Sequence, residues 1–399
     1  MTEWHIITCE YPPQVGGVSD YTYLLASALA AAGDRVHVWC PAAGCDSPPA
    51  PGVVVHRELG RFAPGDLRRV GKKLDEFSAP RRLLVQWVPH GYGYRSMNLY
   101  FCAWLWSRAA FHHDQVEIMV HEPFLAFGSG SLKQTSAAAV HRVMATVLLL
   151  AACRVWVAVP AWEVYLRAYA FGRHVHFTWL PVPSNVPPVA DSESVALARA
   201  IFAPARGFLV GHFGAYGRPT GEFLTAFVAE LLGRNPAGIV LLLGHGSVAQ
   251  RDEILRQHPS LVGRVHATGV LDATEVSVHL RACDLLIQPY PDGVSSRRGS
   301  VMSGLAQGLP IVTTFGHLTE ALWVESGAVA LAPAGDVGTM VKLTERLLTD
   351  KAERNRLCGA AKSLYQQRFD LGRTIATLRT AGSSYSEPSS GEEFRCASQ

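Results

Sequence analysis

Cysteine is scarce and scattered in this chain. Eight of its 399 residues are cysteine, none is part of a CxxC pair, and only Cys40 and Cys45 are near neighbours. Disulfide frameworks and structural zinc sites need several closely spaced cysteines, so this spacing argues against both. We expect free thiols in a reducing compartment and therefore predict a cytoplasmic protein.

A strong charge imbalance is also missing. Lysine and arginine number 36, aspartate and glutamate 33, and the resulting net charge is +3. The basic residues are spread along the chain rather than run together, which does not indicate a nucleic-acid partner. Hydrophobic residues make up 48% and charged residues 17% of the chain, so we expect a large core and no global disorder.

The sequence has no apolar run long enough to span a membrane. Its most apolar helical pattern, residues 143–153, is flanked by basic residues. A bilayer span takes about 20 residues, so a buried core helix is the better interpretation. Residues 1–13 lack the basic start and long apolar region of a secretory signal. We predict at most peripheral membrane contact, through Trp104, Trp106 or neighbouring aromatic residues.

The chain does contain a repeated alternation of short apolar strands and amphipathic helices. The alternation begins at residues 4–8, is interrupted by the proline-rich segment 179–189, and begins again at residues 208–213. Such alternation predicts parallel sheets covered by helices on both faces. We predict an α/β protein with two doubly wound parallel-sheet domains that face a central cleft.

The proline-rich segment sets the predicted domain boundaries. The first domain is predicted to span residues 1–183 and the second residues 184–365. Residues 366–381 are predicted to form a terminal helix that crosses back to the first domain. The polar residues 382–399 have no core pattern and are predicted to be a disordered tail. Because ligands of open parallel sheets bind beyond the carboxyl ends of the strands, function should lie in the loops that follow them.

Residues 284–314 form the most informative strand–loop–helix–strand unit. Its polar loop carries Arg297 and Arg298 just before a helical pattern. The dipole disfavours cations at a helix N-terminus, so their placement there suggests a bound anion. Together with the backbone N–H groups of Gly299 and Ser300, they predict a phosphate site. Solvated surface arginines are the alternative interpretation.

Glycines follow two other predicted strands. Gly16 and Gly17 precede the first helix, where they would let a phosphate or a sugar approach the backbone. Gly244 and Gly246 follow the strand IVLLL and would leave room for a base or a ribose. An ordinary turn is the alternative in both places. No GxGxxG motif follows the first strand, so a dinucleotide fingerprint is not indicated.

Several segments together resemble the retaining glycosyltransferase family 4, which has the GT-B fold. They are EYPPQVGGVSDYTYLLASALAAAGDRVHVWCP, LPVPSN, LVGHFGAYGR, LLLGHGS and LAQGLPIVTT, and the resemblance covers residues 6–381. It implies two Rossmann-like domains and transfer of a sugar from a nucleoside diphosphate sugar to a hydroxyl acceptor, as in a hexosyltransferase. It also implies retention of configuration. No DxD-like metal pair stands at a predicted strand end, so we expect protein cations instead of a metal at the diphosphate, and no other cofactor.

The resemblance implies roles for individual residues. His121 and Arg218 would be catalytic, with the imidazole near the reacting sugar and the guanidinium on the diphosphate. His90 and Glu122 would lie on the acceptor side, although each histidine could equally be a structural hydrogen-bonding residue. The implied donor-binding residues are Gly16, Gly17, Gly214, Arg218, Gly244, Gly246, Leu271, Ser295, Arg297, Arg298, Gly299, Ser300 and Ser303.

The chain departs from the family pattern at three positions. Ser295 and Ser303 stand where the family carries two glutamates, and no lysine follows Arg218 within its loop. We predict that Arg297 or Arg298 supplies the second cation, and that the two serines hydrogen-bond the sugar and the ribose more weakly than carboxylates would. A catalytically inactive GT-B binding or scaffold protein, and a nucleotide-sugar epimerase or hydrolase, stay open as alternatives.

Overall fold

A computed structural model describes residues 1–43, 50–128, 132–188, 191–203 and 207–383. Two domains are present, each built on its own parallel sheet. Beyond residue 383, the predicted tail lies outside the described residues.

The first domain carries a seven-stranded parallel sheet. Its strands are β1 Glu3–Ile7, β2 Arg35–Trp39, β3 Val53–His56, β4 Arg82–Trp87, β5 Gln115–Val120, β6 Arg154–Val157 and β7 His176–Trp179. Its helices are α1 Gly17–Ala31, α2 Pro64–Leu74, α3 Leu99–Phe111, α4 Leu132–Ala151 and α5 Ala161–Arg167. The strand order is β3-β2-β1-β4-β5-β6-β7, so the chain reverses direction across the sheet between β1 and β4.

The second domain carries a six-stranded parallel sheet in the order β10-β9-β8-β11-β12-β13. Its strands are β8 Leu209–Phe213, β9 Ile239–Leu243, β10 Val265–Ala267, β11 Leu285–Gln288, β12 Ile311–Phe315 and β13 Ala330–Pro333. Its helices are α6 Ser192–Phe202, α7 Arg218–Arg234, α8 Ser247–Gln257, α9 Ala273–Ala282, α10 Gly299–Gln307, α11 Ala321–Glu325, α12 Val337–Thr349 and α13 Lys351–Leu364. A π-helical turn, Tyr365–Phe369, and α14 Leu371–Ser383 follow.

Burial explains why these sequences form parallel sheets. Strand β4 is buried at every position, and β11 is as well. Strands with helices on both faces need apolar residues on both sides, which yields continuous apolar runs instead of alternation. The prediction of two doubly wound parallel-sheet domains is confirmed.

The last helix, α14, packs on the first domain. Ile375 and Leu378 are buried in the same apolar cluster as the first-domain residues around Trp4. Arg379 Nε lies 3.1 Å from a carboxylate oxygen of Asp34, and Arg82 donates to the Leu378 carbonyl oxygen at 2.9 Å. These contacts connect the end of the chain to the first domain.

The loop between β11 and α10 also contacts the first domain. Val182 N–H donates to the Ser296 carbonyl oxygen at 3.0 Å. The Ser296 hydroxyl donates to the Ala158 carbonyl oxygen at 2.7 Å and accepts from Trp179 Nε1 at 3.1 Å. The loop that carries the two arginines is therefore fixed against the carboxyl end of the first sheet.

The most apolar helix, α4, belongs to the core. Met144 and Leu148 are buried within the largest apolar cluster of the first domain. Within the described ranges, no helix combines the length and the apolar character that crossing a bilayer requires.

Two buried histidines predict that stability falls in mild acid. Burial lowers the pKa of His5 to about 3 and that of His212 to about 4, and neighbouring His37 lowers the pKa of His5 further. In the unfolded state the pKa of histidine is about 6.5. Between pH 6.5 and the lowered native pKa values, the unfolded state therefore binds more protons than the native state, and stability falls as the pH drops below about 6.5. When the pH falls from 7 to 5, we expect each of the two histidines to lower the free energy of unfolding by about 2 kcal/mol.

Urea unfolding at pH 7 and at pH 5 measures this loss. Between pH 7 and pH 5, a His5→Leu variant should lose about 2 kcal/mol less unfolding free energy than the wild type. Replacing His176, which is exposed at the start of β7, is the matched control and should leave the pH dependence as in the wild type. An unchanged pH dependence in His5→Leu would contradict the prediction.

Candidate functional site

Two adjoining cavities lie between the domains, at the carboxyl ends of both sheets. The larger, about 770 Å³, is lined mainly by glycine-rich loops of the second domain, and we call it the glycine cavity. The smaller, about 440 Å³, contains His90 and His121 of the first domain, and we call it the histidine cavity. Five residues line both cavities: Gly16, Gly17, Asp20, Asn185 and Gly299.

The glycine cavity is formed by the loops after β8 and β9 and by the start of α10. Gly244 and Gly246 have φ angles of 101° and 87°, a region that glycine adopts without strain. A Cβ atom at Gly244 would lie 3.2 Å from the Gly214 carbonyl oxygen, so the two loops approach closely. Ser300 lies in the first turn of α10, and its hydroxyl shares a hydrogen bond of 2.7 Å with the Tyr290 hydroxyl, in which either group can donate. The predicted donor-site residues present in this lining are Gly16, Gly17, Gly214, Gly244, Gly246, Gly299 and Ser300.

The histidine cavity places a neutral imidazole next to the shared residues. Burial lowers the pKa of His121 to about 4. Its Nε2 lies 2.8 Å from Oε1 of Gln86, and its ring meets the Tyr21 ring edge-on at 4.9 Å. A neutral ring that donates from Nε2 to Gln86 keeps Nδ1 as an acceptor. His90 and Glu122 also line this cavity, and their assignment to the acceptor side stays a prediction.

Arg297 and Arg298 are held by carboxylates. Arg297 donates to Asp292 at 2.7 Å and, across the domain boundary, to Glu122 at 3.0 Å. Arg298 pairs with the other oxygen of Asp292 and lies over the Tyr290 ring at 4.5 Å. Arg297 lines the histidine cavity, whereas Arg298 lines neither cavity. Among the described residues, the Nε atoms of both arginines are buried without a hydrogen-bond partner.

Arg218 lies apart from both cavities. It is the first residue of α7, its side chain is 89% exposed, and it pairs with Glu222 one turn along the helix at 2.8 Å. Its neighbour Gly217 does line the glycine cavity. The loop therefore reaches the predicted site, but the guanidinium points to solvent.

Three further predicted residues do not line either cavity. Ser295 and Ser303 are both fully buried. Ser303 donates to the Gly299 carbonyl oxygen at 3.0 Å within α10, whereas the Ser295 hydroxyl has no partner among the described residues. Leu271 is half-buried against the core of the second domain.

The sequence analysis missed acidic and amide residues that line the cavities. Glu10 accepts from the backbone N–H groups of Val18 and Ser19, each at 3.0 Å, so a carboxylate already occupies the N-terminus of α1. A side chain at Gly16 would collide with that carboxylate. Asn185 Nδ2 donates to Asp20 at 3.1 Å. The sequence signal for the Glu10 contact is a glutamate that stands shortly before two glycines at the start of a helix.

The electrostatics of the glycine cavity differ from the prediction of converging cations. Its lining contains no lysine or arginine side chain among the described residues, and Asp20 lies in it. Burial raises the pKa of Asp20. The donors available in this lining are therefore backbone N–H groups and side chains such as those of Ser300 and His245. Across the described part of the chain, no cluster of three or more His, Cys, Asp or Glu residues is placed to hold a metal ion.

The comparisons with known proteins agree with this architecture. Residues 208–350 match the family model described as glycosyl transferases group 1. They include the loops after β8 and β9 and the whole of α10, so the match covers the second-domain side of the glycine cavity. The prediction of a glycosyltransferase is confirmed at this level, and the assignment to family 4 stays a prediction.

Solved structures share the fold over nearly the whole chain. Sucrose-phosphate synthase from Thermosynechococcus elongatus is 20% identical, with a TM-score of 0.76 and coverage of 96% of this chain and 99% of that chain. Anabaena HepE in complex with UDP and glucose is 17% identical, with a TM-score of 0.71 and coverage of 96% and 100%. Trehalose-phosphate synthase from Burkholderia xenovorans is 11% identical, with a TM-score of 0.68 and coverage of 96% and 99%. No curated protein gives a significant sequence match.

Proposed function

We propose that this protein transfers a sugar from a nucleoside diphosphate sugar to a hydroxyl acceptor, with retention of configuration and without a metal. The observation that carries the proposal is the pairing of two adjoining cavities. One is lined by glycine backbone within a group 1 glycosyltransferase domain, and the other places a neutral histidine beside it. The neighbour HepE, whose structure holds UDP and glucose, supports the assignment of the glycine cavity to the nucleotide.

In this proposal the diphosphate lies against Gly214, Gly244 and the start of α10. Glycines let phosphate oxygens approach backbone N–H groups, and the N-terminal end of α10 adds about half a positive charge. As the sugar bond breaks, negative charge grows on the leaving diphosphate and these oriented dipoles stabilise it. Arg297 and Arg298 lie directly before α10 and contribute a positive field that Asp292 partly neutralises.

The first domain would bind the acceptor and the sugar. His121 Nδ1 can accept a hydrogen bond from a sugar hydroxyl while Nε2 donates to Gln86. His90 is 61% exposed and lies 3.8 Å from Glu122, so this pair is suited to contact an entering acceptor. The domains meet around the reacting groups and would exclude water, which limits hydrolysis of the donor.

A thermal-shift screen of UDP, GDP and ADP and of their sugars tests the donor assignment. A ligand that binds only the folded state stabilises it by about 2.7 kcal/mol at a hundredfold excess over Kd. We expect one diphosphate and its sugar to raise the melting temperature. A screen in which none of them does so would remove the nucleotide from the glycine cavity.

Replacing His121 by alanine is expected to reduce turnover about tenfold to hundredfold, the range for one hydrogen bond lost in the transition state. Binding of the nucleoside diphosphate should be retained, because the imidazole belongs to the histidine cavity. Release of nucleoside diphosphate measures turnover, and calorimetry measures binding. His121→Gln, which keeps a donor and an acceptor, should recover part of the rate. Equal turnover in the wild type and in His121→Ala would assign this residue a structural role.

A nucleotide-binding protein without catalysis is the second candidate. It is favoured by the buried serines at the two family glutamate positions and by the absence of cations in the described lining of the glycine cavity. Such a protein would give a thermal shift with a nucleoside diphosphate but release none from the corresponding sugar, with or without acceptor. An enzyme would release it slowly even without acceptor.

A further inference from the structure

Helices α3 and α4 turn apolar faces to the solvent. On α3, Leu99, Ala103, Trp106 and Ala110 recur at helical spacing and are exposed, and Phe111 at its end is 69% exposed. Solvent-facing helix positions are ordinarily polar or charged, so an exposed apolar stripe of this length indicates a binding surface.

The second stripe lies beside the first. Ala139, Val143 and Leu150 are exposed at helical spacing on α4. Helices α3 and α4 contact each other and bury their inner faces, around Leu105 and Met144, in one apolar cluster on the same side of the first sheet. The two stripes therefore lie on neighbouring helices on the same side of the sheet.

Among the described residues, the charged side chains that line the cavity between α2 and α3 without an ion-pair partner are positive. Asp75, in the same lining, pairs with Arg81 and Arg108. The sequences of α3 and α4 contain no aspartate or glutamate. The neighbouring helix α2 exposes Arg68 and Lys72, which line a cavity of about 360 Å³ between α2 and α3 together with Tyr100 and Trp104. In the described part of the chain neither cation has an acidic partner, whereas Arg69 and Lys73 of the same helix pair with Asp66 and Glu58.

We propose that the outer face of α2, α3 and α4 binds the surface of an anionic lipid bilayer. Leu99, Trp106 and Val143 would enter the region between headgroups and acyl chains, and Arg68 and Lys72 would meet lipid phosphates. A second copy of this chain is a poorer occupant, because facing copies would bring cations of the same sign together.

The position of the face relates it to the cavities. Tyr100, at the start of α3, lies 6.0 Å from the ring of Tyr94. Tyr94 and Gly91 line a further cavity of about 490 Å³ at the carboxyl end of the first sheet, and His90 beside it lines the histidine cavity. If the proposed function holds, an acceptor anchored in the membrane would reach the site from this side, but lipid binding itself does not depend on that function.

Flotation of the full chain with phosphatidylcholine vesicles, with and without phosphatidylglycerol, tests the proposal. We expect flotation with the anionic vesicles and its loss at high salt. Trp106→Ser combined with Phe111→Ser should lower partitioning at least about tenfold. Arg68→Gln combined with Lys72→Gln should lower it about twenty-fivefold, since each cation near an anionic surface contributes roughly fivefold. Phe315→Ser, at an exposed aromatic residue of the second domain, is the control and should bind like the wild type.

Equal flotation of all variants would overturn the proposal, and so would the absence of flotation with anionic vesicles. A concentration-dependent dimer in solution that Trp106→Ser dissociates would also overturn it, because a second copy would then be the occupant. Nucleoside diphosphate binding, measured on the same variants, should match the wild type, so failure of the lipid proposal and failure of the proposed function are separable.

Discussion

Replacing Gly244 by valine is expected to weaken nucleoside diphosphate binding at least about thirtyfold, equivalent to about 2 kcal/mol, which lies within the usual range for overpacking. The residue has a φ of 101°, where a β-branched side chain is strained. Its Cβ atom would lie 3.2 Å from the Gly214 carbonyl oxygen, and the two methyl groups would extend into the space of the glycine cavity. Calorimetry with the diphosphate found in the thermal-shift screen measures the loss.

Gly263→Val is the matched control. Gly263 has a φ of 77°, so valine strains its backbone similarly, but no atom lies within 4 Å of the added Cβ and the residue lies outside both cavities. We expect this variant to lose similar stability and to bind the diphosphate as the wild type does. Indistinguishable affinities for the two variants would show that the ligand does not occupy the glycine cavity.

The placement of charge changes the way in which this site would hold a diphosphate. The sequence suggested guanidinium groups converging on the phosphates, but Arg218 faces solvent and Arg297 is engaged with Asp292 and Glu122. An ion pair with a half-buried carboxylate reduces the field that a cation exerts on a neighbouring ligand. Backbone N–H groups would therefore carry more of the binding, and they need no counter-ion.

The architecture could be predicted because doubly wound sheets have a strong sequence pattern. Buried strands such as β9 are continuous apolar runs, and helices such as α12 carry buried residues at helical spacing. Helices α2, α5, α6 and α11 and strand β7 have weaker sequence signals. Helix α2 has three large apolar residues, although they recur at helical spacing, and α5 and α11 are short. Among the residues of α6 Ala198 alone is buried, and β7 is an edge strand without a fully buried position.

The candidate site could be predicted only to the level of loops. Residues that directly follow a strand, such as Gly244 and His121, line the cavities because the course of the backbone fixes their position. Side-chain direction depends on the partner that each side chain meets in the folded chain, and the pattern of strands and loops does not indicate that partner. Arg218 lies at the expected loop, yet its pairing with Glu222 along α7 directs it outward. Glu10 was missed because its role depends on contacts with Val18 and Ser19, which the turn brings to it.

Replacing Asp114 by alanine is expected to lower the unfolding free energy of the first domain by about 3–5 kcal/mol, the range for removing one partner of a buried ion pair. Its two oxygens accept from Nε of Arg81 and Nε of Arg108, each at 2.6 Å. The aspartate side chain is 0% exposed and the two arginine side chains are 6% and 2% exposed. Alanine would leave both guanidinium groups buried, with only the partly exposed Asp75 as acidic partner.

Urea unfolding followed by tryptophan fluorescence measures this loss, since eight of the nine tryptophans precede the second domain and Trp323 is the exception. Asp114→Asn should lose less, because its amide oxygen can still accept from one arginine while its N–H₂ group faces the other. Asp252, which is 60% exposed and pairs with Arg251 at 2.7 Å, supplies the control, and Asp252→Ala should change stability by no more than about 0.5 kcal/mol. Equal losses in Asp114→Ala and Asp252→Ala would mean that the buried ion pairs are not needed to hold α2, α3 and the sheet together.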